Sequence, residues 1–442
     1  DLKRFMPIGL AVLFTMPGLA MSLLHLAPAP PFMALTTGAA ILGPSFLLLW
    51  ACDAAQKDIS QALALAVVAL IAVLPEYAVD MYFTWQAGQH PESDYAHYAI
   101  ANMTGANRLL IGVAWSVIIA IFWLKSRRAI ELDPDRRTEI LFLGLATLYA
   151  FVIPIKGSLA WLDGVALIGL YIWYIRLASR RPCEACELDG PAELLGRLPK
   201  GKRRAATALM FLFAAGVILA NAEVFCESLI ATGRILGVSE FLLVQWLAPI
   251  ASEAPEFTVA IMLALRGHAA VALGSLLSAK LNQWTLLVGM IPGVYGLSSG
   301  SLANPIPMGA MQMNEILLTA AQSLLAVALL VGLRIDLKGA LLLLVLFVGQ
   351  FLAPFALSLL PQPLLLRVNA ETVHLAFSAL YIITSVAFLL KNRTAIPSLF
   401  EGLKIPGTES AIPAGLVLAE PPSRPKALPR EAALERASSR SN

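Results

Sequence analysis

Charge is scarce in this chain: Asp, Glu, Lys and Arg make up 14% of its 442 residues, against 58% hydrophobic residues. An ordinary soluble protein carries about a quarter charged residues, so the shortage excludes that class and leaves a protein that crosses a membrane several times. Cysteine is scarce too. Four cysteines do not make a disulfide framework, and Cys52 and Cys226 fall inside apolar runs. The formal net charge of +3 gives no basis for nucleic-acid binding. Catalytic signatures are missing as well: there is no nucleotide loop, no Ser-His-Asp arrangement and no metalloprotease motif. The Gly-rich stretch 296–305 lacks the lysine that a phosphate cradle needs. The sequence therefore predicts no enzyme and no cofactor. The first apolar run lacks a small-residue cleavage pattern after it and is read as a retained helix.

What is present is a series of twelve apolar runs, each near the roughly 20 residues that span a bilayer. They lie near 6–26, 33–51, 60–87, 97–124, 138–155, 158–178, 205–232, 239–265, 269–295, 313–333, 338–360 and 370–390. The basic residues between them are unevenly placed. With the N-terminus inside, the inner loops hold Lys57, Lys125, Arg127, Arg128, Arg136, Arg137, the cluster from Arg176 to Arg204, Arg266, Arg334 and Lys338. The outer loops hold only Lys156, Arg234 and Arg367. That bias predicts an even helix count with both termini in the cytoplasm, and the expected location is a plasma (bacterial inner) membrane. Residues 179–204 form the longest polar connection. Its Cys183-Glu184-Ala185-Cys186 is a single CxxC without a second pair or a nearby histidine, and reads as solvated linker before zinc or redox site. From residue 395 the chain is rich in Pro, Ser, Ala and Arg without periodicity, which predicts a disordered cytoplasmic tail.

Two elements organise the rest. Leu74-Pro75-Glu76 and Ala254-Pro255-Glu256 each set a proline and a carboxylate inside an apolar run. The proline frees backbone carbonyls in mid-membrane, and a glutamate at that depth needs a polar cavity, a partner or a cation. The two halves correspond around them. Asp53 after Cys52 matches Glu227 after Cys226, and "AIANMTGANRLLIG" (99–112) matches "ALGSLLSAKLNQWTLLVG" (272–289). Helices 2–6 thus match helices 7–11. Five spans per copy, an odd number, force opposite insertion, which is the topology of transporters whose site lies at the midplane between the copies. The small residues Ala101, Gly105, Ala106, Gly274, Ser278 and Ala279 would alone mean only close helix packing.

These residues resemble the sodium/calcium exchangers of the calcium/cation antiporter superfamily, whose repeats read G-T-S-L-P-E and then A-L-G-N-x-x-G-S-N. "AVLPEYAV" with "AIANMTGAN" is similar to the first repeat and "ASEAPEFTV" with "ALGSLLSAK" to the second. The resemblance covers helices 2–11. It implies an all-α integral membrane protein of about twelve transmembrane helices, with two inverted-topology five-helix repeats and peripheral first and last helices. The boundaries are a peripheral helix within 1–30, a first repeat at 31–178 (motif 71–112), a basic linker at 179–204, a second repeat at 205–360 (motif 250–289), a peripheral helix at 361–394 and a tail at 395–442.

The resemblance also implies the site. Glu76 and Glu256 would hold the transported Ca²⁺ or Na⁺, with Ser252, Asn102, Asn107 and Ser275 at the family's oxygen-ligand positions, and Glu223 beside the pathway. Several oxygens are missing: Ala72 and Val73 replace hydroxyl residues, and Lys280 replaces an amide. Charge takes their place. Glu253 lies i,i+3 from Glu256 and Asp80 lies i,i+4 from Glu76, each pair on one helix face. Lys280 is read as a fixed charge substituting for one bound cation, and Arg108 as a second such candidate, although it is turned about 100° from Asn107. The implied function is secondary antiport of Ca²⁺ or another cation against Na⁺ or H⁺ by alternating access, with the lipid bilayer and inorganic cations as partners. The readings set against it are a degenerate relative serving as a non-transporting scaffold or sensor, in which Lys280 and Glu253 form a structural ion pair, and a channel.

Overall fold

A computed structural model describes residues 2–24, 26, 28–58, 73–180, 190–358 and 370–403. In a bilayer a segment must satisfy its own backbone groups, so apolar runs fold as helices. Twelve principal helices follow the twelve runs: α1 (Leu2–Leu23), α2 (Pro30–Ala55), α3 (Leu74–Gln89), α4 (Tyr95–Ser126), α5 (Arg137–Ala150), α6 (Trp161–Ala178), α7 (Lys200–Leu236), α8 (Glu240–Leu265), α9 (269–299), α10 (Ala310–Leu330), α11 (Leu337–Ser358) and α12 (Ala370–Lys391). Among the described residues nine helices are long and apolar enough to cross a membrane: α1, α2, α4 to α8, α10 and α12. The third run is seen from Leu74 onward; residues 59–72, with Ala72, lie outside the described set.

Burial sorts the helices. α10 is 78% buried and stands at the centre, whereas α1 is 17% buried and rests on α2 at the edge. α12 packs on α10, and α2 packs along α7. Helix association within lipid rests on close packing more than on expulsion of water. Gly105 illustrates the closeness: a Cβ at this position of α4 would overlap the Gln245 carbonyl on α8.

Two expectations change. Within the 179–204 linker, Gly190–Gly196 is helical and α7 already begins at Lys200; residues 181–189, with Cys183 and Cys186, lie outside the described set. The expected tail is folded at its start. Ile396–Leu399 and Phe400–Leu403 form short helical turns, Arg137 pairs with Glu401 at 2.6 Å, and the Thr138 hydroxyl donates to the Gly402 carbonyl at 3.0 Å. Ion pair and backbone contact hold these residues against α5, which composition alone does not reveal.

The inverted repeat is visible in the backbone. β1 (Ile130–Glu131) follows α4 and pairs antiparallel with β2 (Arg334–Ile335), which follows α10. Leu159, after α5, bridges Ile306, after α9. Exchanging the repeats turns one bridge into the other. The two lie at opposite ends, since β1 is packed near the start of α9 and Ile306 follows its end. A second sign is a π-helical turn in each copy, Leu110–Trp115 in α4 and Gln283–Leu287 in α9. Such turns insert a residue into the α-helical register and recur at functional sites.

Candidate functional site: a carboxylate cluster between the repeats

α3 and α8 bring their acids together. Glu76 sits in the first turn of α3, 2% exposed, and both its carboxylate oxygens lack a donor. Its acidic neighbours are Glu253, Asp80 and Glu256. Asp80, one turn along α3, accepts from the Asn102 amide of α4 at 3.0 Å and leaves Oδ2 without a donor. Glu253 on α8 accepts from the Gln283 amide of α9, and its Oε2 has no donor. Asn102 Oδ1 and Gln283 Oε1 are likewise without one. Six buried oxygen atoms on α3, α4, α8 and α9 therefore receive no N–H or alcohol O–H bond, and among them the carboxyl groups of Glu76 and Glu253 lie within hydrogen-bond reach of each other. Buried polar atoms are nearly always paired, and exceptions call for an explanation such as an absent ion. Side-by-side buried carboxyl groups need positive charge between them, which a proton or a metal cation supplies.

Glu256, one turn beyond Glu253, is partly exposed and neighbours Glu253 and Cys52. Tyr77, next to Glu76, donates to Asn282 Oδ1 at 2.8 Å, and the Asn282 amide donates to Tyr171 at 3.3 Å. These bonds fix α3 against α9 and α6. A cleft of about 730 Å³ runs along α3, lined by Tyr77, Met81, Tyr82, Trp85, Met290 and the exposed Glu223 of α7.

Lys280 is fully buried. Its ammonium donates to Asn107 Oδ1 at 2.6 Å and lies 4.3 Å from the centroid of the Trp284 ring, a cation–π distance. Glu76 and Glu253 are the acidic groups that act on it electrostatically. Neither forms a direct ion pair with it, so the structural Lys280–Glu253 pair of the non-transporting reading is not made; Lys280 bonds Asn107 and Glu253 accepts from Gln283. Asn107 and Lys280 occupy equivalent positions of the two copies, 173 residues apart, as are the starts of the two π turns. Equivalent residues that touch must lie at the pseudo-two-fold axis.

Other expected residues stand apart. Arg108 does not face the carboxylates: one helical step turns it toward α10, where it pairs with the buried Glu315 and covers Trp246 at 5.3 Å. Ser275 is exposed on α9, about two turns before Gln283, which bonds Glu253. The Ser252 hydroxyl donates back to the Ala248 and Pro249 carbonyls at 3.3 Å, on the same helix. Among the described residues no three His, Cys, Asp or Glu side chains are poised together as a metal cage. The oxygens available beyond the acids are amides, and here sequence reading missed Gln283 and Asn282. Their signal was polarity within an apolar run directly after Lys280.

Comparison with known proteins places the fold in a family. The family profile described as sodium/calcium exchanger protein matches residues 30–179 and 206–356, one stretch in each half. The crystal structure of the H⁺/Ca²⁺ exchanger CAX is similar to 90% of this chain and 97% of its own, at 41% identity and a TM-score of 0.83. Native YfkE shares the fold, with a TM-score of 0.56 at 14% identity over 86% of this chain and 99% of its own. Uncharacterized membrane protein MJ0091 of Methanocaldococcus jannaschii is 26% identical over 185 residues, 42% of this chain, and the match spans about half of that relative, 55% of its length. With both halves matched and the fold shared, the chain belongs to the sodium/calcium exchanger protein family.

Proposed function

We propose that the protein is a secondary antiporter that carries a divalent cation such as Ca²⁺ against H⁺ or Na⁺, by alternating access around Glu76, Glu253 and Glu256. The observation that carries this reading is the set of six buried oxygens without donors on Glu76, Asp80, Asn102, Glu253 and Gln283. Calcium takes six to eight oxygen ligands from carboxylates, amides and water. The same carboxyl groups accept protons, so one site serves two cations in turn. The likeness to an H⁺/Ca²⁺ exchanger at 41% identity supports H⁺ as the counter-ion. Membership in an exchanger family supports an ion gradient as the energy source.

Lys280 has a part in this cycle. On this reading its ammonium, held by Asn107 and the Trp284 ring, supplies one positive charge that a bound monovalent cation would otherwise supply. Unit charges a few ångströms apart interact by several kcal/mol at an effective dielectric of about 20, enough to keep one cation out. Glu223 lines the cleft along α3 together with Leu74 and Tyr77, the residues flanking Pro75-Glu76, which supports a role for it beside the ion pathway.

A second reading, a non-transporting relative, is favoured by Ser252, whose hydroxyl bonds back to its own helix, and by Ser275, which is exposed away from the cluster. One experiment separates the two. The protein is reconstituted in liposomes, and ⁴⁵Ca²⁺ uptake and internal pH are followed under imposed H⁺ and Na⁺ gradients. Counter-gradient-driven uptake that Glu76→Gln abolishes supports antiport. Folded protein without uptake under either gradient overturns it.

A further inference from the structure

A second polar cavity lies away from the carboxylates, where the two repeats are joined by β1 and β2. It has a volume of about 540 Å³ and is lined by Arg127, Arg128 and Arg334, with Glu131 as its acid and Phe122 and Ala270 as apolar walls. Arg127 and Arg128 come from the loop after α4, and Arg334 from the loop after α10. The antiparallel register places Glu131 opposite Arg334, so the ladder itself holds the arginines at one mouth. Arg127 ends α4 in the left-handed region (φ 55), and its guanidinium stacks 4.1 Å from the Trp123 ring.

Among the described residues the positive charges here are in excess. Nearby Arg136 and Arg137 pair with Glu139 and Glu401, whereas Arg127, Arg128 and Arg334 form no ion pair among the described residues. Three guanidiniums against one carboxylate leave an excess of two positive charges. Arginine's planar fork matches phosphate oxygens. Immediately around the cavity, Leu124, Leu265 and Val271 are 63%, 49% and 51% exposed. In a membrane protein such side chains meet acyl chains, while a stacked tryptophan suits the headgroup level. The Lys/Arg bias assigns this end to the cytoplasmic face, where basic pockets between helices take anionic headgroups.

We infer that the Arg127–Arg128–Arg334 cavity binds a phosphate-bearing anion, held between loops of both repeats, with the headgroup of an anionic lipid as its source. The inference uses the orientation read from the loops and does not depend on antiport, because the ligand is measured by binding.

The test is native mass spectrometry of the purified full chain, titrated with phosphatidylglycerol or phosphatidylcholine, with and without millimolar inorganic phosphate. Wild type is expected to hold phosphatidylglycerol at least about tenfold more tightly than phosphatidylcholine. The triple variant Arg127→Gln, Arg128→Gln, Arg334→Gln is expected to lose about a hundredfold, and Glu131→Gln to gain about fivefold, from a contribution of about 1 kcal/mol per charge near the surface. Glu131→Gln keeps the test decisive if the triple variant does not fold. Displacement of the lipid by inorganic phosphate would keep the site and make its source a soluble phosphate. Equal retention of the two lipids by wild type without phosphate binding, or phosphatidylglycerol binding unmoved in a folded triple variant and in Glu131→Gln, overturns the proposal.

Discussion

Arg108 on α4 donates to Glu315 on α10 with both side chains out of water, and the other carboxylate oxygen of Glu315 stands 3.6 Å from His374 on α12. The pair joins the first repeat to the second and the second to the last helix. Removing one partner strands a charge, whereas replacing both with apolar groups does not. Arg108→Met alone is expected to destabilise the protein by about 3–5 kcal/mol, and Arg108→Met with Glu315→Leu to recover most of it. Thermal unfolding in detergent checks this. A stable single variant with altered ion selectivity would instead return Arg108 to the transport site.

Lys280→Asn restores the family's amide and makes the two copies alike at this position. With the fixed ammonium gone, the place beside Glu76 and Glu253 is open to a monovalent cation. The expected outcome is one more counter-ion exchanged per divalent cation, read as a shift in the gradient that just halts ⁴⁵Ca²⁺ flux. An unchanged halting gradient in an active variant would reduce Lys280 to a packing role.

Glu76→Gln and Glu253→Gln separate function from stability. Glu76 receives no N–H or alcohol donor, and a glutamine there keeps a hydrogen-bonding group toward Glu253, so the neutral variant is expected to be at least as stable as wild type while uptake disappears. A melting experiment checks this, and a loss larger than about 1–3 kcal/mol, the cost of one unmade buried hydrogen bond, would overturn it. Ser275→Ala serves as contrast: Ser275 is exposed and its loss is expected to leave uptake within about twofold. A dead Ser275→Ala variant would show that the ligand set changes during the cycle.

Competition between protons and a divalent cation for the same carboxyl groups has a pH signature. Metal ligands must be deprotonated, so binding weakens as protons compete. In the range where one proton is displaced, the concentration of Ca²⁺ giving half-maximal uptake is expected to rise by about tenfold for each unit of acidification. An invariant value between mildly acidic and mildly alkaline pH would favour Na⁺ as the counter-ion.

How far the sequence carried this reading depends on the kind of signal. The Pro-Glu pair announced itself because a carboxylate in an apolar run has few explanations. The repeat was legible because its motifs recur in order. Arg108 was misplaced because adjacent residues on a helix differ by about 100°, and sequence does not say which direction holds the cavity. Gln283 was missed for a related reason. It begins a π turn, so the 3.6-residue spacing used to assign faces fails at the point where α9 meets Glu253. The folded start of the tail was hidden too, since the contacts of Glu401 and Gly402 are with α5, far away in sequence.

Asn107 and Lys280 meet because they occupy the same place in the two copies. In an assembly of two identical chains, a side chain on the two-fold axis meets its own duplicate. A lysine there would face a lysine, two ammonium groups in a buried site with no acceptor between them. An asparagine would face an asparagine, with no net charge. A donor on one side and an acceptor on the other is open only to a chain that carries both copies in one sequence and lets them differ. The ammonium at the centre of this protein is thus a feature that no symmetric pair of half-sized subunits could hold.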